Sequence, residues 1–347
     1  MGYYIYDYGY HLDMPKIELH YWLKNNSHVM DAYVQNKCEL EFLNIAKEIA
    51  LVFGSEIVIQ TEPLAEGGIR RLFQIVAKGE NKNATITAAV ISAIIISITS
   101  TPITTAISKT VEIAITKLFE TELDRKEKEL IIEGKELDNE GKKLDNEEKK
   151  IRNEKSKLEF KEKLNQVETN QKIIKKRSNF YEEIEKDPTV EKLSFIVEDL
   201  IKNKILDEIL VPREEFKKYI LVSNRLDPEP IDNAVIEIIS PVLKKGNYKW
   251  KGIYDGKAVS LNMKSNEFKT LIQTGKIEFK NGSSIKCALE IEKQLDNDGN
   301  ETILAYNIIR VNEYFDNDKP NETPEGKIFR QKKEADEKQF KMFDDRA

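Results

Sequence analysis

The sequence predicts an α+β, multi-domain membrane protein, and three observations carry that reading. Residues 83–108 form a stretch of 26 residues without a charge, in a chain that is 33% Asp, Glu, Lys and Arg. A charged seven-residue repeat follows it, and the last third alternates strand-like runs with turn residues. The expected layout is a small N-terminal α/β base over 1–80, then a Ser/Thr-rich transmembrane helix or hairpin over 81–120. A charged helical stalk over 121–180 and a helical connector over 181–230 come next. A β-rich ligand-binding crown over 231–316 and a polar tail over 317–347 complete it. At 347 residues the chain is long enough for two or three domains.

In the base, Leu40, Leu43, Ala46, Ile49, Ala50 and Phe53 recur at helical spacing, and Gly54 stands where a helix end favours a left-handed residue. Residues 56–61 and 69–76 read as two strands around a loop containing Pro63, Gly67 and Gly68. That glycine pair lacks the lysine of a phosphate-binding loop, so it reads as a turn. His11, His20 and His28 lack metal-ligand spacing, and Cys38 and Cys287 have no CxxC partner. No metal or cofactor is expected. The first residues show no secretory signal pattern.

The uncharged stretch would measure about 39 Å as a helix, against about 30 Å of bilayer hydrocarbon. Ten of its positions are Ser or Thr, and Ser97, Thr101, Thr104 and Ser108 share one helical face. Those four are the expected pore-lining residues. Pro102 ends the helix or turns it into a hairpin. Burial inside a water-surrounded core is the competing reading.

Leu123, Leu130, Leu137, Leu144, Ile151 and Leu158 follow a strict seven-residue period. The companion heptad position holds charges or glycine, which predicts a weakly associating stalk helix or a solvated spacer. At its end Lys175, Lys176 and Arg177 crowd against Phe180 and Tyr181. Residues 190–210 and 213–224 then read as helical, before LDPEP breaks the pattern.

From Ala234 onward the pattern is strands, with a helix around SNEFKTLIQ. Asp255-Gly256 marks a type I′ hairpin turn, and DNDGN at 296–300 marks another loop. Residues 241–289 hold ten lysines, against Asp255, Glu267 and Glu278, in a chain of net charge −6. Tyr248, Trp250, Tyr254 and Phe268 are interleaved with them. Lysines that track phosphates and rings that stack on bases are what single-stranded nucleic acid binding uses. The candidate nucleic-acid contacts are Lys249, Lys251, Lys264 and Lys280 with Tyr248 and Trp250, completed by Lys175, Lys176 and Arg177 where stalk meets crown. Alternation along 248–254 also allows Trp250 to be core. The absence of GxSxG, HExxH, P-loop and dinucleotide fingerprints predicts no catalytic residues and no enzyme.

This layout, with ISPVLKKGNYKWKGIYDGKAVSLNMKSNEFKTLIQTGKIEFKNGSSI in its C-terminal module, resembles the membrane effector subunit of the Hailong anti-phage defence system. The resemblance implies a homo-oligomeric ion channel, most readily a tetramer, in the lipid bilayer of a bacterial inner membrane. Its crown domain would face the cytoplasm and bind a single-stranded DNA oligomer made by a partner nucleotidyltransferase. Bound DNA would hold the channel closed, and its loss during infection would kill the host cell. Two alternatives belong to other classes: a soluble coiled-coil nucleic-acid-binding adaptor without a pore, and a nuclease-type toxin.

Overall fold

The computed structural model describes residues 16–61, 69–77, 84–99, 155, 158–199, 204–244, 246, 248–280, 282–316 and 319–344. The chain divides into an N-terminal unit, Met1–Val222 with Asn297–Gly299, and a C-terminal unit, Ser223–Asp296 with Asn300–Ala347.

The N-terminal unit is built on a five-stranded antiparallel sheet ordered β2-β3-β1-β4-β5. Its strands are β1 (Lys16–Leu23), β2 (Ile57–Thr61), β3 (Ile69–Ala77), β4 (Val190–Asp199) and β5 (Lys204–Pro212). Helix α1 (Ala32–Val52) carries the chain from β1 to β2, while α2 (Ala84–Thr99) and α3 (Gln171–Glu185) lie between β3 and β4. Each crossover joins parallel strands with one antiparallel strand between them, which is the split βαβ arrangement of ferredoxin-like folds, here extended by β5. Ile17, Leu19, Tyr21 and Leu23 alternate onto the helix-covered face of β1.

Local chemistry explains each helix end. Asp31 caps α1 by accepting from the Tyr33 and Val34 amides, and Gly54 follows α1 with a φ of 68°. Lys163, in the helical segment 158–169, donates to the Val52 carbonyl at 2.8 Å. Asn170 caps α3 through the Lys172 and Ile173 amides.

The apolar stretch takes its place in this core. No helix among the described residues is long and apolar enough to cross a membrane. This corrects the membrane-protein fold class, the transmembrane and ion-channel reading, and the inner-membrane location. Helix α2 is described over 16 residues, and Val90, Ile91, Ala93, Ile94, Ile96 and Ile98 are all buried in the core of the N-terminal unit. A helix apolar all round needs an apolar shell, and protein supplies it as well as lipid does. Three carbonyls of the last described turn of α2 accept from side chains. Arg177 donates to Ser97 at 3.0 Å, Tyr181 to Ile98 at 2.7 Å and Tyr219 to Thr99 at 2.7 Å. Ser97 is therefore packed inside protein, while Thr101, Thr104 and Ser108 lie outside the described residues. So does most of the expected stalk.

Residues 190–210, read as helical from sequence, belong instead largely to β4 and β5. The segment 213–224 shortens to a 3-10 turn, Arg213–Tyr219.

The C-terminal unit contains β6 (Glu229–Ser240), β7 (Trp250–Tyr254), β8 (Lys257–Met263), α4 (Asn266–Gln273), β9 (Ser284–Leu295), β10 (Glu301–Asp316), β11 (Lys319–Glu322) and α5 (Pro324–Asp344). Its sheet is ordered β11-β10-β8-β7-β6-β9, and β9 also pairs with β10, so five strands close into a barrel. Strands β8 and β10 pair in parallel, and the other neighbours are antiparallel. A five-stranded barrel of this order, with a helix between its third and fourth strands, has the topology of the OB fold. Trp250, Phe268, Ile285, Leu289, Ile308 and Val311 fill it. The Asp255-Gly256 turn has φ values of 49° and 70°, as a type I′ hairpin requires. Gly252 is required by packing, because a Cβ there would fall 2.7 Å from the Glu237 carbonyl oxygen.

Candidate nucleic-acid interface

The outer face of β7 and β8 carries the lysines that the sequence singles out. Strand alternation buries Trp250 and Gly252 and turns Lys251 outward, opposite Ser260. Lys249 precedes β7 and is exposed, as is Lys264 just after β8, where its amide donates to the Ile308 carbonyl. Lys280 is exposed on the loop before β9, its amide donating to Ser283 Oγ at 2.8 Å.

Tyr248 lies in the connection between β6 and β7 and is 59% exposed. Its ring rests on Gly246, where a Cβ would come within 2.7 Å of Tyr248 Cε2. Gly246 also has a φ of 143°, so its side-chain-free backbone both makes the turn and seats the ring. The exposed apolar side chains Val235, Ile239 and Leu243 line β6 and the start of the same connection. Glu237 stands between the first two and adds one negative charge to the face.

Two other barrel lysines are spent on carboxylates. Lys293 pairs with Glu229 at 2.7 Å and Glu301 at 3.2 Å, and Lys286 with Glu313 at 3.6 Å. Lys249, Lys251 and Lys264 make no ion pair among the described residues. Their charge is uncompensated, which suits them to a polyanion that displaces only counterions.

Other sequence candidates are placed differently. Trp250 is 1% exposed and packs edge-on to Phe279 at a centroid distance of 5.8 Å, so it holds the barrel rather than a base. Lys175, Lys176 and Arg177 are buried in the N-terminal unit. Lys176 lies 3.6 Å from Glu41 and 3.1 Å from Asp298. Burial pushes the Arg177 guanidinium below its usual pKa, although Tyr181, Tyr219 and Glu168 favour the charge and the guanidinium donates to the Ser97 carbonyl. These three cations are committed to packing. Among the described residues no group of three or more His, Cys, Asp or Glu side chains is arranged to hold a metal.

Ser260 and Asn262 were missed as face residues. Their signal was the alternation in KAVSLNM, which places Ser260 and Asn262 on the side opposite Leu261 and Met263. Fold and site together define a two-unit α+β protein whose C-terminal unit holds an OB-type barrel with a basic, aromatic-bearing strand face. No protein-family model matches the chain, and no curated protein matches it either.

Proposed function

We propose that the C-terminal barrel binds single-stranded nucleic acid, in the form of a DNA oligomer, across the β7–β8 face. Lys249 and Lys251 contact phosphates at the centre, Lys264 and Lys280 contact them further along, and Tyr248 stacks on a base. The observation that carries this reading is the trio Lys249, Lys251 and Lys264, exposed and without an ion pair among the described residues, beside a seated, exposed tyrosine on the strand face of an OB-type barrel. Such barrels bind oligonucleotides through this face and its neighbouring loops, with aromatic stacking and phosphate contacts sharing the work. The resemblance to the Hailong effector adds a source for the oligomer, a partner nucleotidyltransferase, and a setting, anti-phage defence. Assembly as a homo-oligomer, a tetramer by the same resemblance, would give several such faces per particle.

Fluorescence anisotropy of a labelled oligothymidylate titrated with the full chain tests this across a salt series. Each phosphate contact to a single strand contributes about 0.7 to the slope of log K against log salt, so Lys249→Ala with Lys251→Ala should flatten it by about 1.4. Tyr248→Ala should weaken binding by about 1–3 kcal/mol with the slope kept. No binding by the wild type, or affinity and slope unchanged in both variants, refutes the site.

A further inference from the structure

The outer surface of the barrel also holds one amide in a fixed orientation. Asn262 on β8 stands level with Asn307 on β10. Asn262 Nδ2 donates to Asn307 Oδ1 at 2.9 Å, and Asn307 Nδ2 donates to Glu292 Oε1 at 2.7 Å. Asn307 is 1% exposed, so this chain of bonds is sheltered from water over its middle.

The carboxylate dictates the order. An ionised carboxylate only accepts, so the Asn307 atom facing Glu292 must be the amide nitrogen. Asn307 Oδ1 then faces Asn262, and the atom of Asn262 that meets it must also be nitrogen. Both amides are locked by one negative charge at the end of the row. Half-buried Asn262 is left with its Oδ1 and one N–H, and among the described residues no other side-chain hydrogen bond engages it.

Its place on the face gives this a use. Lys251 pairs with Ser260 and Trp250 with Leu261, so extending the register by one residue sets Lys249 beside Asn262. A phosphate at Lys249 would bring a neighbouring base within the compass of that amide. An acceptor and a donor on one planar group match the N6 amine and N7 of adenine, the pairing that asparagine favours.

We infer that Asn262 reads the edge of an adenine in the bound strand, with Asn307 and Glu292 as positioning residues that hold its amide. This rests on the single-strand reading of the face. It goes beyond that reading by giving the site a base preference, which lysines and a stacking ring do not supply.

The test uses the full chain, a labelled oligothymidylate, and the same oligomer with adenines at its centre, titrated at several salt concentrations. The wild type should prefer the adenine-containing oligomer by about tenfold. Asn262→Ala should bring the two affinities to within about twofold, with the salt slope unchanged. Glu292→Gln can donate as well as accept, so it unlocks the row, and it too should narrow the preference without altering the slope. Equal wild-type affinity for both oligomers, or an adenine preference that survives Asn262→Ala, overturns the role of Asn262 and leaves the interface standing. Failure to bind either oligomer overturns both.

Discussion

Truncating Ile94 to Ala distinguishes a helix packed inside protein from one bathed in hydrocarbon. Ile94 is 0% exposed near the middle of α2. The substitution removes three carbons, each contributing about 0.8 kcal/mol when buried, or about 2.4 kcal/mol of transfer free energy. The cavity left behind adds to this, and Ile→Ala changes in cores cost about 2–5 kcal/mol, so a loss of about 3–4 kcal/mol is expected. A lipid-facing isoleucine contributes only about 0.3–0.6 kcal/mol to helix insertion, several-fold less. The chain has two tryptophans, Trp22 in the N-terminal unit and Trp250 in the C-terminal unit. In a Trp250→Phe background, Trp22 fluorescence follows unfolding of the N-terminal unit alone. With a urea m-value of about 2 kcal/mol/M, the midpoint should fall by about 1.5–2 M with the slope kept. A fall of less than about 0.5 M would show that α2 does not depend on a tightly packed protein shell, and the core assignment would fail.

Two further outcomes use the same assay. Tyr181→Phe removes the hydroxyl that meets the Ile98 carbonyl at 2.7 Å and should cost about 1–3 kcal/mol, because that carbonyl stays buried without its partner. Combining it with Tyr219→Phe should not be additive, since the two rings stack at 4.2 Å and close adjacent carbonyls. His20 governs part of the pH dependence. Burial, then the charges of Arg70 and Lys192, push its imidazole down from 6.5 to about 4. The unfolded chain therefore binds a proton that the folded unit refuses, so stability is full above about 6.5 and declines as pH falls towards 4. His20→Gln should flatten the urea midpoint between pH 6.5 and 5, above the range where carboxylates take over; an unchanged slope there would remove His20 as its source.

Much of the N-terminal unit was legible because local signals and tertiary context agreed. The spacing from Leu40 to Phe53 and the stop at Gly54 mark the second half of α1 and its end. Context decided the rest. Along β4, Leu193, Phe195 and Val197 face the helices, yet Ser194 and Ile196 on the other side are buried as well. With both faces covered, the period of two that marks a strand disappears, and the run passes for a helix. Helix α2 was recognised as apolar, but its own residues cannot say whether Ile or lipid surrounds them. The Lys175-Lys176-Arg177 triplet resembled a surface patch because its neutralising partners, from Glu41 to Ser97, are distant in sequence.

In the barrel, hairpins between sequential strands were visible in the turn residues, whereas the parallel union of β8 with β10 and the closure by β9 were not. That closure is what gathers Asn262, Asn307 and Glu292 into a row from three separate stretches of chain. The lysines could be found by counting. The amide row could not, since it depends on register across strands that are not neighbours in sequence.

Closing the cylinder has one more consequence, for the way each half can meet other polypeptides. A strand whose rungs are all taken has no main-chain hook to offer, and β6, β7 and β9 are paired along both flanks. Whatever these three strands select, they must select with side chains, so their preferences can drift one residue at a time without disturbing the scaffold. The N-terminal sheet keeps two open margins among the described residues, at β2 and β5, where backbone alone could clasp an extended visitor regardless of its sequence.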